Sequence, residues 1–487
     1  MADEKGKVKP SEACQEADRR TFRIGTSGKI GAIGLAATLI LAGCSGFQSR
    51  SGADREPAAL VAGILTPALM SCPERIWPGY RWGTLRALMV DNIDGTAFLW
   101  NGNGRGGLTT VTHADLPPDF RKDGWNLGHW QGVPALSISL REFRSDPESL
   151  AYLLIHEGFH HLVQENWHNP YESLRGSTYP EDWHARYLRR RIMASLAAAF
   201  AGEDPEALGH AIWWQRRYER EYPDDARENR DTDVTEGTAE TAGLFGSELG
   251  RQGCGATDQQ VLEGLRPRIR DIWERRWDNL DYQLTVRNGE SYAIGALAGL
   301  ILQRRGVPWK QRAAAGETPM EILAGEAAPL PDVDDPVTAA RVRDHYAQKN
   351  GEFGAVVEGY AAACSSREFL RLTVPLDWTV GTTMGGKGFL NFRDRTGFRR
   401  LIIGMQGQFS APDRPSRLQI REALAELAGG TYPFGHSEGY LVTLIPADAL
   451  ERMPDGSFSI ASDTVRAVSL RIEIREEKDG GRWIWLY

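Results

Sequence analysis

The chain has 487 residues, of which 41% are hydrophobic and 25% charged, with a formal net charge of -8 and a pI near 5.8. That composition excludes disorder over most of the length, and it gives no basic footprint, so nucleic acid is not expected as a partner. The length leaves room for two or three domains.

The first 44 residues read as an export signal. A cationic stretch, RRTFRIGTSGK (19 to 29), precedes an apolar one, IGAIGLAATLILAG (30 to 43), and Cys44 ends it. The apolar run is about 14 residues, short of the roughly 20 that span a bilayer, although a retained signal anchor is the alternative. LAGC, residues 41 to 44, resembles the bacterial lipobox. The resemblance implies cleavage before Cys44 and its acylation, placing the protein on a membrane of the cell envelope, either the outer membrane facing the periplasm or the cell surface. Arg19, Arg20 and Phe22 also resemble a twin-arginine export pattern. Of five cysteines, Cys72, Cys254 and Cys364 lie in the mature folded part. None forms a CxxC motif, so at most one disulfide and no cysteine-based metal site are expected.

Residues 45–75 read as a linker with a short helix, EPAALVAGILTPAL, ahead of the globular part. From 79 to 142 the chain has strand and turn character, with TAFLW (96 to 100) and VPALSISL (133 to 140). The alternation in the second predicts a strand with one face buried and one wet. Ser145, Asp146 and Pro147 then mark a helix start, and helices are predicted at 181–202, 204–221, 234–248, 258–277, 289–304, 335–349 and 351–364. The segment 316–338 is the loosest of this region and is expected on the surface. Past Cys364, short alternating runs separated by Gly, Asp and Pro predict a β-rich C-terminal domain, 365–487, interrupted by one helical period in REALAELAGG. The aromatic end, GRWIWLY, is expected to fill a β core. The fold class is α+β, with residues 76–364 as the first domain.

Within the first predicted helix of that region lies LLIHEGFHHLVQEN, residues 153 to 166. His156 and His160 are four apart, so both imidazoles project from one helix face and two nitrogens can bind one Zn²⁺. Glu157 is placed to reach a water bound to that metal, whose pKa zinc lowers from 15.7 towards about 7, and to take its proton as general base. This is the H-E-x-x-H pattern in the helical context its mechanism requires. His161 points about 100° away, and His168 lies past the expected helix end.

HEGFH resembles the zincin metallopeptidases. Their metzincin branch is excluded because Val163 and Asn166 stand where its glycine and third histidine would be. VTEGTAETAG (234 to 243) is similar to the N-E-G-x-A run of gluzincin aminopeptidases, with Thr235 in place of Asn. The resemblance implies Glu236 as third zinc ligand and Glu240 as the acid that orients a zinc histidine, while Gly237, Ala239, Ala242 and Gly243 would let the two helices approach closely. Asp231, Asp233 and Glu240 are the other candidate ligands. Glu236 could instead close a capping box with Asp233, and one carboxylate cannot serve both roles. The gap from His160 to Glu236 is 76 residues, long for the family, and must hold two extra helices.

Zincins add a side chain that binds the developing oxyanion, for which Tyr292 is the first candidate and His210 the second. The strand 133–140 would be the rail on which an extended peptide pairs. The leading expectation is an exported, lipid-anchored zinc peptidase acting on a peptide or protein substrate. The alternative is a surface lipoprotein whose C-terminal domain binds an envelope partner and whose zincin-like domain is inactive or structural.

Overall fold

The computed structural model describes residues 55–486 except 84, 102–104, 122–123, 144–145, 168–176, 203, 281–287, 380–385, 387, 395–396, 411–415, 430–438 and 477–481. The export segment, Cys44 and His168 lie outside the described residues. No helix among the described residues is long and apolar enough to cross a membrane.

Helix α1 (Arg55–Leu65) opens the described chain, and a five-stranded sheet follows: β1 (Arg86–Asp91), β2 (Thr96–Trp100), β3 (Leu108–Thr112), β4 (Trp125–Trp130) and β5 (Val133–Ser139). Its order is β3-β2-β1-β5-β4, with β1 and β5 parallel and the other pairs antiparallel. One face, carrying Ala87, Met89, Leu136 and Ile138, joins the main core. The other, carrying Leu88, Val90 and Ala135, is covered by Leu116, Phe120 and Trp130. The expectation of a half-wet β5 therefore fails: the covering turns bury Ser137 and Ser139 to 2% and 1% exposure. β5 is also an inner strand, hydrogen-bonded on both sides, and has no free edge to offer a peptide. The edge strand beside it is β4.

Helices α2 (Pro147–Leu162), α3 (Trp183–Ala201), α4 (Ala207–Glu221), α5 (Pro223–Gln252), α6 (Asp258–Ile272), α7 (Asn288–Arg304), α8 (Pro319–Ala324) and α9 (Pro336–Ser365) form the helical body. Asp146 caps α2 by accepting from the Ser149 amide, and Pro147 fills its first turn. The N-terminal helix is not a preface to the globular part, because Ala58, Val61 and Leu65 of α1 are fully buried in the main core. The segment 316–338 is likewise not merely superficial. Thr318 and Glu321 form a capping box that starts α8, whose Met320, Ile322 and Leu323 are buried. Helix α5 is 30 residues long and begins eleven residues before the predicted 234. Its polar first half shows no apolar period because Asn229, Asp231 and Asp233 are buried there, Asn229 bonded to Tyr218 and Asp225 and Asp233 to Arg189.

Cys72 and Cys254 form a disulfide that joins the segment after α1 to the end of α5, and Cys364 is a buried free thiol.

The C-terminal strands are β7 (Phe369–Pro375), β8 (Gly388–Asp394), β9 (Gly397–Phe409), β10 (Arg417–Gly429), β11 (Gly439–Pro446), β12 (Leu450–Arg452), β13 (Phe458–Ala461), β14 (Val465–Leu470), β15 (Ile472–Glu476) and β16 (Arg482–Leu486). The main path is β12-β13-β14-β10-β11-β7-β16-β15, while β9 pairs with β10 and β8. A short strand from the helical body, β6 (Ser177–Tyr179), adds to β8 in parallel. REALAELAG, residues 421–429, is strand rather than helix. Leu418, Ile420, Ala423 and Ala425 face the second core once a bulge near Glu422, at φ 51°, shifts the alternation by one. Pairing with β9, β11 and β14 overrides the local helical preference. At the C-terminus Ile484 and Leu486 are fully buried and Trp485 is 8% exposed, as a core-filling end requires.

Candidate metal centre

Helix α2 presents its histidines where α5 and α7 cross behind it. The two central residues of HEGFH serve packing. A Cβ on Gly158 would lie 2.4 Å from Trp82, so only glycine lets that indole cover the helix. Phe159 stacks edge-on against Trp77 and Tyr80, at ring separations of 5.0 and 5.7 Å, and the Tyr80 hydroxyl donates to the Ile155 carbonyl at 2.9 Å. These contacts fix the rotation of α2 and hence the direction in which His156 and His160 point.

Helix α5 meets α2 through Gly243 against Tyr152 and Gly246 against Ile155. The expected close approach at Gly237 occurs elsewhere: this residue faces Gly295 of α7, where an added Cβ would sit 2.5 Å from the Gly295 Cα. Below that crossing lies a buried ionic cluster. Arg189, fully buried on α3, donates to both carboxylate oxygens of Asp233 at 2.7 and 3.0 Å, to Glu290 at 2.8 Å and to Ser291 at 3.1 Å. Arg186 adds bonds to Glu290 at 2.6 Å and to Asp225. Two guanidinium groups thus fasten α3 to the turns that precede Glu236 and Tyr292.

Among the described residues, the side chains that converge closely enough to share one metal ion are His156, His160 and Glu236. The His156 Nε2 lies 3.1 Å from the His160 Nε2 and 3.5 Å from the Glu236 Oε2, and the His160 Nε2 lies 3.2 Å from that same oxygen. Ligand atoms about 2.0–2.1 Å from a tetrahedral zinc ion lie roughly 3.3 Å apart, so the triangle matches three corners of such a site. His156 and Glu236 are buried, while His160 keeps a quarter of its side chain exposed. His160 is therefore the ligand that solvent reaches.

The capping-box alternative for Glu236 is removed, because α5 starts at Pro223 and Glu236 sits in its middle. Asp233 is held by Arg189, and Asp231 is not among the converging groups. Glu240 lies one turn on, with its Oε2 3.5 Å from the His156 Nδ1, and the Tyr152 hydroxyl donates to the same carboxylate. Tyr292 stacks on the His156 ring at 5.6 Å with 7° between planes, and its hydroxyl bonds to Glu236. Burial and the nearby Glu236 and Glu157 charges push that hydroxyl well above its ordinary pKa. His210 instead lies 3.9 Å from Asp204 near the start of α4. Glu157 is half-buried, and its charge acts on both His156 and Tyr292. His161, also half-buried, is outside the converging group.

In the metal-free site, burial lowers the His156 pKa. Hydrogen bonds to Glu236 and Glu240 and the Glu157 charge outweigh that effect and carry it up to about 10. Three buried or half-buried carboxylates around two imidazoles are an excess of negative charge that a divalent cation would balance.

Three residues of the centre were not anticipated. Tyr152 stands four before His156, and Gln164 four after His160, so both fall on the metal face of the helix by the same spacing that singles out the histidines. Gln164 Oε1 lies 2.6 Å from the His160 Nδ1. Arg189 carries no local signal, since its partners lie 44 and 101 residues away. Comparison with known proteins finds no matching family model, no similar curated protein and no similar solved structure, so the centre stands on its own geometry.

Proposed function

We propose that the protein is a zinc-dependent peptidase of the gluzincin type, with His156, His160 and Glu236 as the metal ligands and Glu157 as general base. The observation that carries this reading is the triangle of two Nε2 atoms and one Oε2 with edges of 3.1–3.5 Å, set in an H-E-x-x-H helix with its carboxylate intact. A zinc ion held there would supply Lewis acidity towards a carbonyl oxygen and would acidify a water in the fourth position.

The chain's own residues do the rest. Glu157 takes the proton of the attacking water and returns it to the leaving amine. Glu240, aligned by Tyr152 and 3.5 Å from the His156 Nδ1, is placed to hold a proton on that nitrogen and leave the Nε2 lone pair for the metal. Tyr292, beside His156 and Glu236, is placed to donate to the oxyanion that forms as the carbonyl is attacked. An extended substrate would pair with the edge strand β4, whose Trp125 and Leu127 are exposed. A purely structural site fills all four positions with protein ligands and has no use for Glu157, which disfavours the inactive reading.

Export to an oxidising compartment agrees with the Cys72–Cys254 disulfide, because such bonds persist outside the reducing cytosol. The lipid anchor at Cys44 is part of the proposal and rests on the sequence pattern.

The test is cleavage of a mixed peptide library by the zinc-loaded protein and by Glu157→Gln. The proposal predicts products from the first and loss of turnover in the second with zinc retained. Equal cleavage by both would eliminate Glu157 as the base, and zinc without cleavage by either would favour the binding-lipoprotein alternative.

A further inference from the structure

We propose that Gln164 is a positioning residue for the metal centre: it sets which nitrogen of His160 carries the proton and ties that histidine to the turn of α5 that carries Glu236. The inference rests on the metal-site reading above and adds to it a residue outside the H-E-x-x-H pattern.

A chain of hydrogen bonds joins His160 to α5, and the direction of each follows from the next. Gln164 lies in a short 3-10 turn, Gln164–Asn166, immediately after α2, so its side chain is free to reach across to α5. Its Nε2 lies 2.7 Å from the Thr235 carbonyl oxygen and 2.7 Å from the Thr238 Oγ1. A backbone carbonyl can only accept, so the amide must present its NH₂ to Thr235. Thr238 agrees, because its hydroxyl hydrogen is already given to the Val234 carbonyl at 2.7 Å and its oxygen is left to accept.

With the NH₂ group committed to α5, the amide oxygen faces His160, 2.6 Å from its Nδ1. That nitrogen must then be the donor, and the Nε2 is left with its lone pair pointing to His156 and Glu236. The usual ambiguity of an imidazole is resolved by a main-chain oxygen two hydrogen bonds away, through the Gln164 amide.

The position of the anchor matters as much as its direction. Thr235 immediately precedes Glu236 and Thr238 follows it by two, so one amide spans from a ligand on α2 to the turn of α5 that carries the other. His156 is oriented by Glu240 and Tyr152, which leaves His160, a quarter exposed, as the ligand with the most freedom to turn. Gln164 removes that freedom. It also ties the 3-10 turn that follows α2 to α5.

The experiment uses the full protein with Zn²⁺ as probe, titrated against a competing chelator, in wild type, Gln164→Ala and Gln164→Glu. Selective ¹⁵N labelling of histidine reports the tautomer of His160. The expected result for Gln164→Ala is zinc affinity weakened roughly 10–100-fold, the range for loss of a partner that orients a metal histidine, with His160 no longer held in one tautomer. Gln164→Glu keeps an oxygen against the Nδ1–H but loses both donors to α5, so the tautomer is rescued while only part of the affinity returns.

Zinc binding by Gln164→Ala within twofold of wild type would overturn the proposal and leave the metal site standing. So would a wild-type spectrum in which His160 carries its proton on Nε2, a measurement that needs no variant to fold. A wild-type protein that takes up no zinc would remove the site itself, and this proposal with it.

Discussion

The crossing of α5 and α7 can be tested by Gly237→Ala, a single added methyl group next to the proposed third ligand. That Cβ would lie 2.5 Å from the Gly295 Cα and 3.2 Å from its carbonyl carbon. Ordinary carbon contacts are about 3.5–4.0 Å, so the two helices would have to part by roughly 1–1.5 Å. Main chain stands on both sides and no rotamer can relieve the clash, which puts the penalty at the upper end of the usual overpacking range, about 3 kcal/mol. Replacing glycine in a helix interior gains about 0.8–1.0 kcal/mol, leaving a net loss of roughly 2 kcal/mol. Gly63 supplies the control. It is exposed on α1 with nothing within 4 Å of its added Cβ, so Gly63→Ala should gain up to about 1 kcal/mol. Urea unfolding followed by circular dichroism reads both variants. Zinc affinity of Gly237→Ala should fall in parallel, because Tyr292 and Glu236 sit on the two helices that are forced apart. A Gly237→Ala protein as stable as wild type, or raised like Gly63→Ala, would refute this account of the crossing.

Tyr292→Phe should keep its zinc and lower kcat roughly 100-fold with KM nearly unchanged, in line with removal of one oxyanion donor, and an unaltered kcat would confine Tyr292 to packing. Replacing Cys72 and Cys254 by serine opens a loop closed across 182 residues of sequence, and should lower stability by about 5 kcal/mol on the chain-entropy account, read by denaturant titration. The metal-free protein should also lose stability at alkaline pH. His156 has its folded pKa raised from 6.5 to about 10, so its contribution is complete below pH 6.5 and disappears as pH climbs towards 10. Zinc needs the neutral ring, so binding near pH 7 should expel about one proton, seen by calorimetry in buffers of different ionisation enthalpy; no proton release would contradict the protonated metal-free state.

The parts of this protein that are legible in its sequence are those whose physics is local. Asp146 and Pro147 announce α2, the i, i+4 spacing places His156 and His160 together, and alternation after residue 365 announces the strands. What escapes is set by distant partners. The polar start of α5 carries no apolar stripe because Asp225 and Asp233 turn inward to pair with Arg186 and Arg189 of another helix. The serines of β5 look solvent-facing until the turns from 113 to 121 cover them. REALAELAGG fits a helical period equally well as a bulged strand, and only its neighbours decide between them. Glu236 illustrates both cases. Its type and its small neighbours suggest a ligand, but local pattern permits a capping box as well, and the early start of α5 decides it.

The metal site is tested most directly by the zinc content of the purified protein, measured for wild type and Glu236→Gln side by side after mild preparation. The prediction is one zinc per wild-type chain and less than about half an equivalent in the variant, because the amide cannot replace the carboxylate that closes the triangle. Full zinc in Glu236→Gln at unchanged affinity, or none in the wild type, would contradict it.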